Sequence, residues 1–272
     1  MPFNSKVANL LGQEHVVSRT ASFRSGGVVL VNGIGLIQSE VALLSRKHPK
    51  EPRYIGSVEA TTCCILFLRH ADGEGVACAH VDCQEMIPGL LSTLSSNHFW
   101  KGTLVEVSLV GSFKEGEGTR DLVLCILQSL HKLPDPLTLC VAAVLDENPA
   151  NGEGGLLSSA VIDYWTGEVR RCRFVSLGPH LMERRAQCFI QRETDVLYEP
   201  YRRGSWNSAP PLPGPLSPGL SWGLNASLCR AFLEMPDEEL LMHTSTSPKH
   251  EAPEYPSEMK TVLKFVLPML KA

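Results

Sequence analysis

Within Ser57–Cys83, SVEATTCCILFLRHADGEGVACAHVDC, Cys63 and His80 carry the chemistry of a nucleophile and its proton carrier. A thiol attacks as its thiolate, and a neighbouring imidazole lowers its pKa from about 8.5 and accepts its proton. That chemistry requires the chain to fold back between the two residues. Cys63–Arg69 and Gly75–Asp82 read as strands, and Ala71-Asp72-Gly73-Glu74-Gly75 reads as the turn that joins them. With paired positions across that turn summing to about 144, residue 63 lies opposite about residue 81 and His80 falls within one residue of that neighbour. A slip of one residue exchanges the face of every side chain, and the pattern alone does not choose the register. A core cysteine and an edge-strand histidine, with no chemistry between them, is the competing reading of the same spacing.

The elements around this hairpin follow from periodicity. Strands are expected at Val28–Asn32, Leu36–Leu44, Tyr54–Val58, Leu104–Phe113, Leu137–Leu145, Ser159–Tyr164, Glu168–Val175 and Val196–Tyr198, with Trp165-Thr166-Gly167 as a hairpin turn. Helical spacing appears at Gln84–Ser96, Arg120–Leu133, Leu181–Phe189, Asn225–Leu233 and Ser257–Leu270. His243–Pro248 reads as a polar connection. Residues 1–25 look peripheral, and the five prolines within 208–222 exclude a regular element there. Its PxxP spacing fits an SH3-type partner less well than it fits a surface loop. Asn32-Gly33-Ile34-Gly35 is too short for a dinucleotide fingerprint and reads as a turn or bulge. No internal repeat and no composition break divides the chain, so one domain spanning 1–272 is expected.

Composition narrows the function classes. The 272 residues are 43% apolar and 20% charged, and 25 Lys+Arg against 29 Asp+Glu leave a net charge of −4. That charge gives no support to nucleic-acid binding. No apolar run is long enough to span a membrane, and MPFNSKVANLL lacks a signal layout, so a cytosolic or nuclear protein is expected. Nine irregularly spaced cysteines, mostly in strand-like runs, do not form a disulfide framework. Cys78 and Cys83 flank His80, but strand alternation divides such residues between two faces and no second Cys pair follows, so a structural zinc site is not expected.

The same stretch resembles the protein N-terminal asparagine amidohydrolase family, whose members share "ATTC", an apolar strand, "LRH", a Gly-containing turn and "H-x-D". Leu109-Val110-Gly111-Ser112-Phe113 is similar to that family's "LVGGF", and Ser245-Thr246-Ser247-Pro248, with Pro253 and a closing helix, is similar to its "STSP…P" segment. The motifs keep their order over about Ser57–Leu270, while 150–222 matches poorly. A more distant resemblance, in the Cys-to-His spacing and a Gly-rich strand end, is to bacterial chemotaxis-receptor glutamine deamidases and deamidating toxins. The fold these resemblances imply is α+β, a layered α/β/β sandwich of mainly antiparallel sheets with flanking helices.

The family resemblance implies a cofactor-free and metal-free cysteine hydrolase, acting as a monomer on proteins or peptides with a free N-terminal Asn. The product Asp would feed the N-degron degradation pathway. Cys63, rather than Cys64, maps onto the nucleophile, and His80 serves as base and then acid. Thr61, Thr62, Gly111 and Ser112 are candidates for oxyanion stabilisation or support of the nucleophile. A free α-ammonium calls for acceptors, and Glu59 and Asp82, with Ser245, Thr246 and Ser247, are the candidates. For the carboxylates the competing reading is a solvated strand end, and for Ser245–Ser247 a cap or turn. The chain departs from the family pattern at Ser112, where a second Gly is usual, at Cys64, where a His occurs, and in stopping at Ala272. The alternatives are a deamidase of internal Gln or Asn, and a truncated, inactive homologue acting as a binding protein through the Pro-rich loop.

Overall fold

The computed structural model describes residues 13–45, 52–113, 118–133, 135–145, 158–190, 197–202, 204–207, 224–245 and 248–270. The Pro-rich 208–222, together with Thr246 and Ser247, lies outside these residues. The chain divides into two compact units, one of Met1–Gly178 with Asp195–Asn207, the other of Pro179–Thr194 with Ser208–Ala272.

The first unit contains two five-stranded sheets. One is ordered β1 (Val29–Val31), β10 (Val169–Phe174), β9 (Ser158–Asp163), β4 (Tyr54–Ala60), β2 (Ile34–Leu36). The other is ordered β3 (Val41–Ser45), β6 (Gly75–Val81), β5 (Cys64–His70), β7 (Val105–Phe113), β8 (Leu137–Leu145). The parallel pairs, β1 with β10, β2 with β4 and β7 with β8, each involve an edge strand, and the interior pairings are antiparallel. Side-chain alternation divides the core between two faces. Ile65, Phe67, Val76 and Cys78 pack against Ile55, Ala160 and Ile162 of the facing sheet. Cys64, Leu66, Leu68, Ala77 and Ala79 pack against helices α2 (Met86–Ser96) and α3 (Thr119–His131). The result is the expected helix, sheet, sheet order of an α+β fold. Helix α1 (Glu14–Ser25) covers the edge strand β8, where the Thr20 hydroxyl accepts from the Ala142 N–H at 3.0 Å.

Two local departures bear on the site and its flank. Leu36–Leu44 is not one strand. Ser39 adopts a left-handed φ of 61° and the Glu40 carboxylate accepts from the Ile37 N–H at 2.8 Å, so the chain leaves β2 in one sheet and enters β3 in the other. Asp237–Thr244, within a region expected to carry no helix before the polar connection, is helical: three acidic residues complement the positive end of its dipole and Leu240 is buried. That helix, α6, belongs to the second unit with α4 (Leu181–Ile190), α5 (Ala226–Glu234) and α7 (Tyr255–Val266), around a core that includes Ala186, Cys229, Phe232, Leu240, Leu263 and Val266. Asn225 caps α5 by accepting from the Leu228 N–H at 2.9 Å.

His70, the last residue of β5, is 1% exposed, meets Phe99 edge-on at 4.5 Å and has no hydrogen-bond partner for either ring nitrogen among the described residues. Burial lowers its pKa, Lys101 lowers it further, and the Phe99 backbone, Asp72 and Asp135 act in the opposite direction. The unfolded chain therefore takes a proton at about pH 6.5 while the native ring resists it. Above that pH both states are neutral and the group contributes nothing. Stability is expected to fall as pH drops through about 6.5 towards the lowered native value. Urea midpoints from pH 7.5 to 5 should show this slope, and His70→Phe should reduce it, the remainder including His80, whose pKa burial also lowers. An unchanged slope in that variant would rule out His70 as its source.

Candidate active site

The site forms where the chain crosses between the sheets twice, through 37–40 and through 61–63. At the second crossing β4 ends in a bulge, with a register shift between Ser57 and Ala60 and a φ of 61° at Glu59. Thr61-Thr62-Cys63 then bends into β5. Strand β7 holds this bend from behind: the Phe113 N–H donates to the Thr61 carbonyl at 3.2 Å and the Ser112 N–H to the Cys63 carbonyl at 2.7 Å. The Ser112 hydroxyl lies 3.3 Å from the same Cys63 carbonyl. Gly111 lies against the bend at a φ of 106°, where a Cβ would stand 2.6 Å from the Cys63 carbonyl oxygen. Only glycine fits that approach. Ser112 follows at a φ of 45°, in the left-handed region that glycine tolerates best.

The β5–β6 register pairs Ile65 with His80 and Cys64 with Val81, so paired positions sum to 145. This register, which the sequence pattern leaves open, fixes the faces. Cys63 shares the inter-sheet face with Ile65, His80 sits opposite Ile65, and Asp82 comes level with Cys63. One ligating atom each from Cys63, His80 and Asp82 lies within 4.8 Å of the other two. Cys64 points to the helix side, where burial pushes its thiol pKa up to about 12. Cys78 packs between the sheets and Cys83 on the helix side, so these two do not converge on His80.

His80 is 1% exposed, and burial lowers its pKa against an opposing pull from Asp82. The ring is neutral at pH 7, and its tautomer follows from its partners. The Ser57 hydroxyl donates its one proton to the Leu36 carbonyl at 2.9 Å and stands 2.8 Å from His80 Nδ1. It therefore accepts from Nδ1–H, which leaves a lone pair on Nε2. Nε2 and Asp82 Oδ1 are buried without a hydrogen-bond partner among the described residues and lie 3.8 Å apart. The Ser39 hydroxyl holds the other oxygen, Oδ2, at 2.6 Å.

The profile of the family described as protein N-terminal asparagine amidohydrolase matches residues 27–271. The chain belongs to that family. It is 27% identical to the mouse protein N-terminal asparagine amidohydrolase over 266 residues, covering 91% of this chain and 80% of the relative. The human protein of the same name is 26% identical over 264 residues, with 91% and 80% covered. The pig relative is 26% identical, with 91% and 79% covered.

Of the residues expected at the site, the fold brings together Cys63, His80 and Asp82, with Thr61, Thr62, Gly111 and Ser112 forming or gripping the bend that carries the thiol. Glu59 is exposed at the β4 bulge, where its N–H donates to the Ser159 hydroxyl at 3.2 Å. Ser245 belongs to the second unit, its hydroxyl bonded to Glu251. Two serines went unread in the sequence. Ser57 orients the imidazole and Ser39 orients Asp82. The available signal for Ser57 was a hydroxyl at a fully buried position of a strand, six residues before the candidate nucleophile.

Proposed function

We propose that this chain is a cysteine hydrolase that deamidates the side chain of an N-terminal Asn to Asp. The observation that carries the reading is the His80 ring, 2.8 Å from the Ser57 hydroxyl at Nδ1, within one cluster with the Cys63 thiol and the Asp82 carboxylate, an arrangement that places the Nε2 lone pair at the thiol. Cys63 Sγ attacks the carboxamide carbon while its proton passes to Nε2. The tetrahedral intermediate collapses, ammonia leaves with that proton, and a thioester remains. Water then attacks with Nε2 as base, releasing the Asp carboxylate and restoring the thiol. The bond formed and broken at sulfur requires no redox partner.

Asp82 Oδ1, a buried acceptor without a donor among the described residues, is suited to bind the free α-ammonium of the substrate. Glu59, exposed beside the bend, is the second candidate for that role. In the cytosol or nucleus, the new N-terminal Asp would enter the N-degron route. The test measures ammonia release from matched peptides beginning with Asn, Gln and acetyl-Asn. Turnover of Asn alone is expected. Turnover of acetyl-Asn would refute amine recognition by Asp82 and Glu59, and inertness towards all three peptides would refute the hydrolase reading.

A further inference from the structure

The cluster assigned to amide hydrolysis has the donor set of a transition-metal site. Cys63, His80 and Asp82 offer sulfur, nitrogen and oxygen with all three atoms within 4.8 Å. His80 Nε2 and Asp82 Oδ1 have no partner among the described residues and stand 3.8 Å apart, so two lone-pair atoms face each other in a buried place. Such an arrangement is costly unless a proton donor or a cation bridges the atoms. The outer contacts also fit a metal site. A ligating histidine usually donates its second N–H, here Nδ1–H to Ser57, and a ligating carboxylate is usually held by a hydrogen bond, here Ser39 on Oδ2.

We propose that this triad is a reversible binding site for a borderline-soft divalent cation, Zn²⁺ foremost, and that occupation shuts the enzyme off by engaging its nucleophile. Mixed thiolate, imidazole and carboxylate donors suit Zn²⁺, whereas Mg²⁺ and Ca²⁺ require oxygen ligands. Tetrahedral bonds of about 2.3 Å to sulfur and about 2.0–2.2 Å to nitrogen and oxygen set ligand atoms about 3.3–3.6 Å apart. The 3.8 Å between Nε2 and Oδ1 thus closes by about half an ångström, and the contacts to Sγ, within 4.8 Å, by at most about 1.5 Å, through side-chain rotation. The Cys63 thiol proton is released to solvent as the metal–sulfur bond forms, and a water completes the coordination. The site is distinct from any Cys78–Cys83 framework, because those thiols lie on opposite sides of the sheet.

Binding stands on geometry alone, and only the inhibitory consequence rests on the proposed hydrolase reading. The chelator-treated 272-residue chain is titrated with Co²⁺ as the optical probe. A single equivalent is expected to give a near-ultraviolet thiolate-to-cobalt band and tetrahedral visible bands, which Zn²⁺ displaces and Mg²⁺ does not. Cys63→Ala should lose the thiolate band, Asp82→Asn should weaken binding about 10-fold or more, and Cys83→Ser should change neither. Circular dichroism confirms that each variant is folded, and Cys63→Ser serves if the alanine variant is not. No thiolate band in wild type, or a band that survives loss of the Cys63 thiol, would overturn the site. Wild type that turns over Asn peptides unaffected by saturating Zn²⁺ would overturn the inhibition alone. Protein inert towards Asn peptides but showing the Cys63-dependent band would retain the metal site and refute the hydrolase.

Discussion

Cys63→Ala is expected to reduce ammonia release from Asn-initiated peptides by roughly 10⁴-fold or more, to the detection limit, because no other group in the cluster can form the acyl intermediate. Cys64→Ala is the informative contrast. The two thiols are adjacent in sequence but lie on opposite faces of one sheet: Cys63 packs between the sheets beside His80, and Cys64 packs with Leu66 and Leu68 under the helices. Cys64 is held as a neutral thiol by a burial that pushes its pKa up to about 12. Its loss should cost about 0.5–3 kcal/mol of stability, as core truncations do, and leave turnover within a few-fold. Steady-state kinetics and urea midpoints on the two variants separate these effects. Activity that survived in Cys63→Ala and vanished in Cys64→Ala would reverse the assignment.

Local patterning carried most of the fold, and it missed a crossing between the sheets and the helix Asp237–Thr244. The continuous apolar run Ile65–Leu68 and the helical spacing at Met86, Leu90 and Leu94 are determined by residues close in sequence, and the structure has a strand and a helix there as read. The break at Ile37–Glu40 depends on a buried Glu40 carboxylate closing on a backbone N–H, a tertiary circumstance that apolar content conceals. The hairpin register, which the pattern leaves open, is set by the folded sheet, and that choice decides that Cys63, His80 and Asp82 share a face. Ser57 and Ser39 were invisible for a related reason. Each acts on a residue distant in sequence, 23 and 43 positions away, and hydroxyls carry no periodic signal of such contacts. The family motifs, by contrast, drew attention to the Thr61–Cys63 bend and to the Gly111 that lies against it.

The second large effect is expected at His80. His80→Gln should lower kcat by about 10²- to 10⁴-fold, the usual worth of a positioned proton carrier, with little change in KM, since the amide side chain keeps the volume but cannot take the thiol proton. Ser57→Ala tests how that imidazole is held. The variant leaves the Nδ1–H without its acceptor in a site that is 0% exposed at Ser57, and it frees the ring to turn or change tautomer. A hydrogen bond to a group that becomes cationic during the reaction is worth about 1.5–3 kcal/mol, so kcat should fall roughly 10- to 100-fold. Ser57→Thr keeps the hydroxyl and should restore most of it, which a purely structural role for the position would not predict, because the added methyl group crowds the same buried site. Full activity in Ser57→Ala would show that the imidazole needs no support from β4. Equal losses in the alanine and threonine variants would assign Ser57 to packing rather than to positioning the base.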